Sequence, residues 1–288
     1  MTVTQEFARR IHAMRYEDFP AEAVRWARIG ILDTVGVLLA GSTHETVSIL
    51  RTALASGSGP CLVFGTAQRC GPLDAAMING AAAHVLDYDD SHSNLHGHPS
   101  VAVLPALFAA AELKGCSGRE LIRAYVIGFE ALSRLGRGVS RYQYTHGWHP
   151  TTTIGIFGAV GACSVLLGLS EAQTANAFAI ATHMASGIKS NFGTMTKSLG
   201  VGQAARNGLL AVQLAQGGFT GGEKAFEHHH GYFNVFNGDG HYDASRIFDA
   251  WADPLCILDP GSSKSVIPAV TPACHRWKRW RRWRCSTA

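Results

Sequence analysis

The sequence is short of charged residues and of the motifs that mark several large enzyme classes. Only 16% of its 288 residues are charged and 47% are apolar. This balance excludes a disordered chain and favours a globular protein with a large buried core. The sequence has no Walker phosphate loop, no HExxH motif and no GxSxG motif. It therefore gives no support to a P-loop nucleotidase, a zincin metalloprotease or an α/β-hydrolase.

The seven cysteines also lack the spacing of a metal or redox site, because no two of them form a CxxC pair. The first residues, MTVTQEFARRIHAM, contain no apolar run of the length found in a secretory signal. We therefore expect a reduced, cytoplasmic protein.

Acidic residues are missing from the last part of the sequence, so the net charge of +4 does not describe the rest of the chain. Six of the 25 basic residues lie between positions 276 and 284, and no acidic residue follows Asp259. Without those six, 19 basic residues face 21 acidic ones, which leaves the body slightly acidic. The overall basic character therefore gives no reason to expect a nucleic-acid or membrane partner.

The body shows no alternation of strands and helices, so a parallel α/β sheet is not indicated. Segment after segment instead carries apolar residues at helical spacing. The one over residues 20–41 begins with a first-turn proline and ends at a glycine. A single short apolar run, CLVFGT, suggests one isolated strand or extended segment. We predict a mainly α fold.

Residues 151–170 carry no charge and are long enough to cross a bilayer. Four glycines among them, however, allow neighbouring helices to approach closely, and no second segment of this kind accompanies them. A buried central helix is the better interpretation. The GxxGxxG spacing also differs from a dinucleotide fingerprint, and no strand precedes it.

The stretch AHVLDYDDSHSNLHGHPS, residues 83–100, contains three carboxylates and four histidines. We expect a helix to about Asp87, a loop over residues 88–97 and a second helix from Pro99, a junction where side chains converge on a pocket. An acid/base site, a solvated loop and a metal site remain open. The spacing matches no zinc or calcium loop. The ligand candidates for a metal are Asp87, Asp89, Asp90, His92, His96 and His98.

Two further segments favour the acid/base interpretation. GWHPTT places His149 directly before a proline and a helix, as GHPSVAV places His98, so we expect the two imidazoles to face one space. A helix N-terminus disfavours imidazolium and would keep each histidine neutral and able to accept a proton. Lys197, in a glycine-flanked loop before another helix, is a candidate anchor for a carboxylate. The plainer alternatives are prolines that only set each first turn and a lysine that is only solvated.

A third group of histidines, His228, His229 and His230, follows EKAFE. Consecutive residues of a helix point about 100° apart, so on a helix these three side chains do not reach one ion. We therefore predict a surface or packing role for them, and no metal ligands in the chain.

Four segments, in this order, resemble the MmgE/PrpD family: AAAHVLDYDDSHSNLHGHPSVAVLPA, GWHPTTTIGIFGAVGACSVLLGL, SGIKSNFGTMTKSLGVGQAARNGLLAVQLAQGGFTG and GSSKSVIPA. The resemblance covers about residues 5–269. It implies a large all-helical domain, a smaller α/β lid domain and a homodimer. It also implies proton abstraction next to a carboxylate of a small di- or tricarboxylate, without a metal or other cofactor. Dehydration of the 2-methylcitrate type is the leading expectation, and decarboxylation or epimerisation is the alternative.

The resemblance also assigns roles to individual residues. The loop before HPS is one residue longer than in the decarboxylases, so His96 and His98 both remain candidates for the histidine of that motif. KSLGVG departs from the family pattern, because serine and glycine stand at positions 198 and 200 in place of proline and histidine. The implied catalytic residues are Asp87, His98 and His149, and the implied substrate-binding residues are Ser91, His96 and Lys197.

The closing residues, HRWKRWRRWRCSTA, hold three tryptophans among six basic residues. One interpretation is a cationic, aromatic segment for anionic membranes or nucleic acid. We favour a reading-frame error. Residues with few codons constrain the underlying DNA, and when it is read two bases out of frame it encodes an amphipathic helix. Such a helix resembles the way in which members of the family continue. Residues 1–269 would then form the helical domain, and residues 270–288 an aberrant, disordered tail without the lid or a final histidine. Activity would be impaired, and the extreme case is an inactive helical dimerisation remnant.

Overall fold

The structure, a computed structural model, describes residues 1–54 and 57–262. The predictions for the tail of residues 270–288, for the reading frame and for a domain end at residue 269 lie outside the described residues. The segment GSSKSVIPA is described only as far as Ser262.

Helices form nearly all of the regular structure in the described ranges, which confirms the predicted mainly α fold. Short 3-10 turns lie at Tyr16–Asp18 and Lys189–Asn191, and a π-turn lies at Ile257–Gly261. The α-helices are α1 (Val3–Ala13), α2 (Ala21–Gly41), α3 (Glu45–Leu54), α4 (Pro72–His84), α5 (Pro99–Lys114), α6 (Gly118–Thr145), α7 (Pro150–Thr153), α8 (Gly155–Leu167), α9 (Glu171–Met184), α10 (Met195–Gln216), α11 (Tyr232–Asn237) and α12 (Ser245–Phe248).

Several helices begin at a side chain that caps free backbone N–H groups. Thr2, Ser117 and Ser170 each accept a hydrogen bond from the N–H three residues later, where a Gln or Glu side chain bonds back to the cap. Such a cap stabilises a helix end by about 1 kcal/mol. Pro20 lies directly before α2, and that helix ends at Gly41 as predicted.

The uncharged segment lies at the centre of the fold, in α7 and α8. Its Pro150–Leu167 window is long and apolar enough to cross a membrane, but 94% of it is buried inside the fold. Its glycines permit this close packing, since a Cβ at Gly158 would lie 2.8 Å from Val103 and 3.0 Å from the carbonyl oxygen of Gly128. The interpretation as a buried core helix is confirmed.

The pairing of α4 with α10 brings two parts of the candidate site together, because His84 ends α4 and Lys197 lies in the first turn of α10. The two helix backbones touch at Gly202 of α10. A Cβ at that position would overlap the carbonyl oxygen of Met77 and lie 3.1 Å from the backbone nitrogen of Ala81. Only glycine allows the helices to approach this closely.

Replacing Gly202 with alanine is therefore expected to destabilise the fold by about 1–3 kcal/mol, since the new methyl group forces α10 away from α4. Chemical unfolding followed by circular dichroism measures the change. The control is Gly36→Ala at an exposed position of α2, where nothing lies within 4 Å of an added Cβ. That substitution is expected to be neutral or stabilising, because alanine favours helix. Equal stability of the two variants would contradict the predicted contact.

Two local predictions are wrong. CLVFGT is not isolated, because Cys61–Leu62 (β1) pairs antiparallel with Arg69–Cys70 (β2). The sequence around β2 shows no run of alternating apolar residues that would have marked a partner strand. Helix α4 ends at His84, three residues before Asp87, whose φ of 56° is left-handed and cannot continue a helix.

A buried ion pair in α6 holds the last described part of the chain. Arg134 Nε donates to Glu130 Oε1 at 2.6 Å, and both side chains are at most 2% exposed. Both side chains also bind the backbone of residues 249–256, which fixes that irregular segment against α6. The partners are the carbonyl oxygens of Asp249 and Pro254 for Arg134 (2.7 and 2.9 Å), and the N–H groups of Ala252 and Cys256 for Glu130 (3.1 and 2.7 Å).

Candidate active site

The candidate site forms where α4 ends and α5 begins. His84 is the last residue of α4, and the chain then loops through residues 85–98 until Pro99 opens α5. Within this loop Asp87 has a left-handed backbone, which aspartate adopts more readily than most residues other than glycine. The loop thereby returns His98 to the end of α4.

The carboxylate of Asp89 lies between two histidines. Its Oδ2 atom is 2.9 Å from Nδ1 of His84 and 3.0 Å from Nδ1 of His98. Burial favours the neutral acid, but the two histidines outweigh it and hold the pKa of Asp89 well below its usual range. The side chains of His84 and Asp89 are almost completely buried, whereas that of His98 is 21% exposed. His98 is therefore the member of this group that a ligand can reach.

Lys197 and Asp87 extend the group on the other side of His98. The Nζ atom of Lys197 donates to Oδ1 of Asp87 at 2.6 Å, and the same oxygen lies 3.6 Å from Nε2 of His98. Positive and negative groups thus alternate along a short path. In order, they are Lys197, Asp87, His98 and Asp89.

His149 joins the group through the start of α7. The backbone N–H of His98 donates to Oγ1 of Thr151 at 3.1 Å, so the two His-Pro turns are tied together. The ring centroid of His149 lies 5.9 Å from that of His84 and 4.9 Å from that of Phe192. The structure therefore brings both His-Pro histidines to one place.

The two His-Pro histidines have opposite protonation states at neutral pH. Burial disfavours the charged form of His98, but Asp89 and Asp87 outweigh it and raise its pKa to about 9. Burial lowers the pKa of His149 to about 2, and nearby positive groups add to this effect. The expected neutral histidine is thus right for His149 and wrong for His98, because a buried carboxylate outweighs the helix N-terminus.

Two of the proposed substrate-binding residues, His96 and Ser91, do not join this group in the described part of the chain. His96 Nδ1 lies 2.8 Å from Oγ of Ser140, and its ring centroid lies 6.1 Å from that of Tyr144, so this side chain faces α6. Within the part of the chain that the structure describes, no side-chain contact joins Ser91 to the group. The longer loop therefore presents His98, and not His96, to the two aspartates.

Three buried partners were not recognised as such from the sequence. His84 lay inside a predicted helix, and Asp89 was considered only as a metal ligand. Asp90 accepts hydrogen bonds from the N–H and Oγ of Ser100 (3.1 and 2.6 Å) and from Oγ of Ser262 (2.6 Å). Burial raises the pKa of Asp90, and these bonds oppose the rise. The repeated carboxylates of DYDD marked the region without showing which of them face histidines.

The same group contains atoms with which a metal ion could be held. One ligand atom from each of His84, Asp87, Asp89 and His98 lies within 4.8 Å of the others. Lys197 already binds Asp87, and both histidines are paired with Asp89. A metal ion would have to displace these partners, so the donor set fits an ion-paired acid/base group better than a metal centre.

This site and most of the helices lie within a stretch that matches a known family. A profile of the MmgE/PrpD N-terminal domain matches residues 5–245. The chain belongs to the MmgE/PrpD family. The resemblance to this family is thereby confirmed over residues 5–245, which contain three of the four sequence segments, and the helical body is the N-terminal domain of this family.

Curated relatives of this MmgE/PrpD chain include cis-aconitate decarboxylases. A cis-aconitate decarboxylase-like protein of Aspergillus oryzae is 34% identical over 242 residues, which is 80% of this chain and 50% of the relative. The cis-aconitate decarboxylase of Aspergillus terreus is 33% identical over 240 residues, with coverage of 80% and 49%. The human enzyme is 32% identical over 234 residues, with coverage of 78% and 48%. The chain spans about half the length of the curated relatives it matches.

Proposed function

We propose that this MmgE/PrpD chain carries the acid/base site of a lyase that acts on a small di- or tricarboxylate, most directly a hydro-lyase for a 2-methylcitrate-like substrate. One observation carries the proposal: an imidazolium, His98, and a neutral imidazole, His149, lie in one group and are tied through Thr151. Elimination of water requires this combination, because a base takes the α-proton while an acid protonates the leaving hydroxyl.

Lys197 and His98 are the proposed binding groups for a substrate carboxylate. The ammonium of Lys197 and the imidazolium of His98 both lie beside Asp87, which a substrate carboxylate can replace as their partner. When the α-carbon loses its proton, negative charge spreads onto that carboxylate. Two fixed cations then stabilise the charge, and they do so without reorganising. Electrostatic stabilisation of this kind is usually the largest contribution to catalysis.

His149 is the proposed base, and substrate binding is expected to activate it. In the free chain its pKa of about 2 makes it a weak base at neutral pH. Burial is the main cause, and the charges of His84, His98 and Lys197 add to it. The carboxylates of a bound substrate counter those charges and raise the pKa of His149. His98 then protonates the departing hydroxyl, which leaves as water, and the product is the unsaturated acid.

Decarboxylation of a cis-aconitate-like tricarboxylate is the second candidate, because the relatives quoted above are cis-aconitate decarboxylases or resemble them. Loss of CO₂ leaves a carbanion, and His98 is placed to protonate it. Epimerisation shares the abstraction step and is tested alongside. We also propose a cytoplasmic protein that, as the resemblance implies, forms a homodimer and works without a metal or organic cofactor.

Replacing Lys197 with methionine is expected to weaken polycarboxylate binding by about ten- to a hundredfold, since a hydrogen bond to a charged group contributes roughly 1.5–3 kcal/mol. Isothermal titration of the chain with 2-methylcitrate, cis-aconitate and iminodisuccinate measures the affinity. Product analysis by mass spectrometry follows turnover in the same samples. Lys224→Met, at an exposed position, is the control and should leave binding unchanged.

The outcomes separate the proposed site from the proposed reaction. Binding that depends on Lys197, with turnover of one ligand, supports both and identifies the substrate. Binding that depends on Lys197 without turnover contradicts catalysis by this chain and favours the inactive helical remnant. A chain that binds none of the three ligands at millimolar concentration overturns the proposed function.

A further inference from the structure

The three consecutive histidines lie in a turn and not on a helix, in contrast to the sequence-based expectation. His228, His229 and His230 connect the end of one irregular segment to α11, and the backbone N–H of Gly231 donates to the carbonyl oxygen of His228 at 2.6 Å. A Cβ at Gly231 would lie 2.8 Å from three carbonyl oxygens, so the turn closes around a position that requires glycine. The 100° spacing that separates side chains on a helix does not apply here.

The turn brings the three imidazoles together. One nitrogen of each ring lies within 4.8 Å of a nitrogen of the other two, and the ring centroids are 3.9–5.8 Å apart. The backbone N–H of His230 donates to Nδ1 of His228 at 3.1 Å, so a lone pair of His228 faces its neighbours. All three side chains are exposed, and a hydrated ion can reach them from solvent.

The turn is held firmly at both ends. Phe226 before it and Phe233 after it are fully buried, and the N–H of Phe233 donates to the carbonyl oxygen of Phe226 at 3.1 Å. The N-terminus of α1 also binds this segment, through Val3 N–H to Glu227 (3.2 Å) and Thr4 Oγ1 to the carbonyl oxygen of Glu223 (3.0 Å). Little backbone order has to be gained when the rings bind a ligand.

We propose that His228, His229 and His230 form a surface site for a divalent transition-metal ion such as Zn²⁺, Ni²⁺ or Cu²⁺. Imidazole nitrogens suit these ions, and metal–nitrogen distances are about 2.0–2.1 Å. The three nitrogens must move closer by about 1–2 Å, which exposed rings achieve by rotation about their side-chain bonds. Nδ1 of His228 exchanges its hydrogen bond for the ion, and water completes the coordination.

The described residues contain a second group of possible ligands, the one built from His84, Asp87, Asp89 and His98. Its carboxylates are already paired with Lys197 and with the histidines, whereas the turn offers three exposed imidazoles at the surface. The ion is therefore expected at the turn. This inference is independent of the proposed lyase activity.

Titration of the untagged full chain with Ni²⁺ tests the site. We expect one ion bound per chain, and at least a tenfold weaker affinity in a variant with His229→Gln and His230→Gln. The control is His98→Gln, which alters the other group and should leave Ni²⁺ binding unchanged. Electron paramagnetic resonance with Cu²⁺ should show nitrogen ligation in the wild type that decreases in the turn variant.

Any other result would contradict the proposed metal site in the turn. Loss of the ion from His98→Gln alone would move it to the acid/base group. If neither set of substitutions affects Ni²⁺ binding, the ion binds elsewhere in the protein. If binding does not saturate, the proposed site does not exist. Circular dichroism checks that the variants fold. We expect folding because His229, His230 and His98 do not belong to the apolar core.

Discussion

Replacing Asp89 with asparagine is expected to lower the pKa of His98 from about 9 to near or below its ordinary value of 6.5. Asp89 is the main group that holds the proton on His98, and without its charge, burial and Lys197 both favour the neutral ring. Asp87 remains and moderates the fall. Histidine NMR of ¹⁵N-labelled chain over pH 5–10 measures this pKa without requiring activity.

The matched control is Asp90→Asn, which removes the neighbouring buried carboxylate. Asp90 bonds to Ser100 and Ser262, and among the described residues no histidine pairs with it, so the pKa of His98 should stay near 9. His84→Gln and His149→Gln variants assign the resonances. If Asp89→Asn folds and leaves the pKa of His98 near 9, the assignment of Asp89 as the group that charges His98 is wrong.

The same pairing predicts how stability depends on pH. The folded pKa of His98, about 9, lies above the unfolded value of 6.5, so its pairing stabilises the fold fully below pH 6.5. This stabilisation, up to about 3 kcal/mol, is lost as the pH rises through 9. Urea unfolding at pH 6.5 and 9.5 should show the loss in the wild type and a much smaller one in Asp89→Asn.

Replacing Arg134 with methionine is expected to destabilise the fold by about 3–5 kcal/mol, because it leaves the charge of Glu130 buried without its partner. The substitution also removes two hydrogen bonds to the backbone of residues 249–256. That loss is expected to loosen this segment and the residues after it as far as Ser262, which bonds to Asp90. Urea unfolding followed by tryptophan fluorescence measures the change, since Trp251 lies in the segment.

Arg137 provides the control for this prediction. It reaches the same carbonyl oxygen of Asp249 at 3.2 Å, but its side chain is partly exposed and it contacts Asp249 Oδ2 only at 3.9 Å. Arg137→Met should therefore cost less than about 1 kcal/mol. Combining Arg134→Met with Glu130→Leu should restore part of the lost stability, since no unpaired charge remains. Equal effects of the two single arginine substitutions would refute the buried pair as the source of stability.

The helical body was predictable because its determinants are local. Ser117 and Ser170 cap helices in the sequence, and the prolines after His98 and His149 mark where α5 and α7 begin. The uncharged segment of residues 151–170 was placed in the core because its glycines allow close contact. These features follow from side-chain chemistry within a few residues, which a sequence displays directly.

The pairing of side chains within the candidate site was harder to predict from the sequence. His84 and Asp89 face each other because α4 stops at His84 and the loop folds back. Residues far away in the sequence bind this loop, Lys197 at Asp87 and Thr151 at His98. The charge on His98 depends on this arrangement, so a rule about helix N-termini predicted the wrong protonation state. Resemblance to the family pointed to Asp87, His98, His149 and Lys197 without giving their mutual distances, and it did not point to His84 or Asp89.

The turn of His228, His229 and His230 is a second place where local sequence preference suggested the wrong geometry. EKAFEHHH has the composition of a helix end, and local preference alone suggested helical geometry. Buried Phe226 and Phe233 instead fix the two ends of the segment, and Gly231 lets the backbone close between them. Tertiary packing therefore set the positions of the three imidazoles.

The alternation of Lys197, Asp87, His98 and Asp89 has a consequence for the rate at which ligands arrive. Two positive and two negative groups within a few ångströms cancel, so the field of the site falls off steeply outside contact range. An anion in solution is therefore hardly steered towards it, and its association rate should change little with ionic strength. On the proposed function, selection among anions takes place after arrival, when a carboxylate of the ligand competes with Asp87 for the ammonium of Lys197.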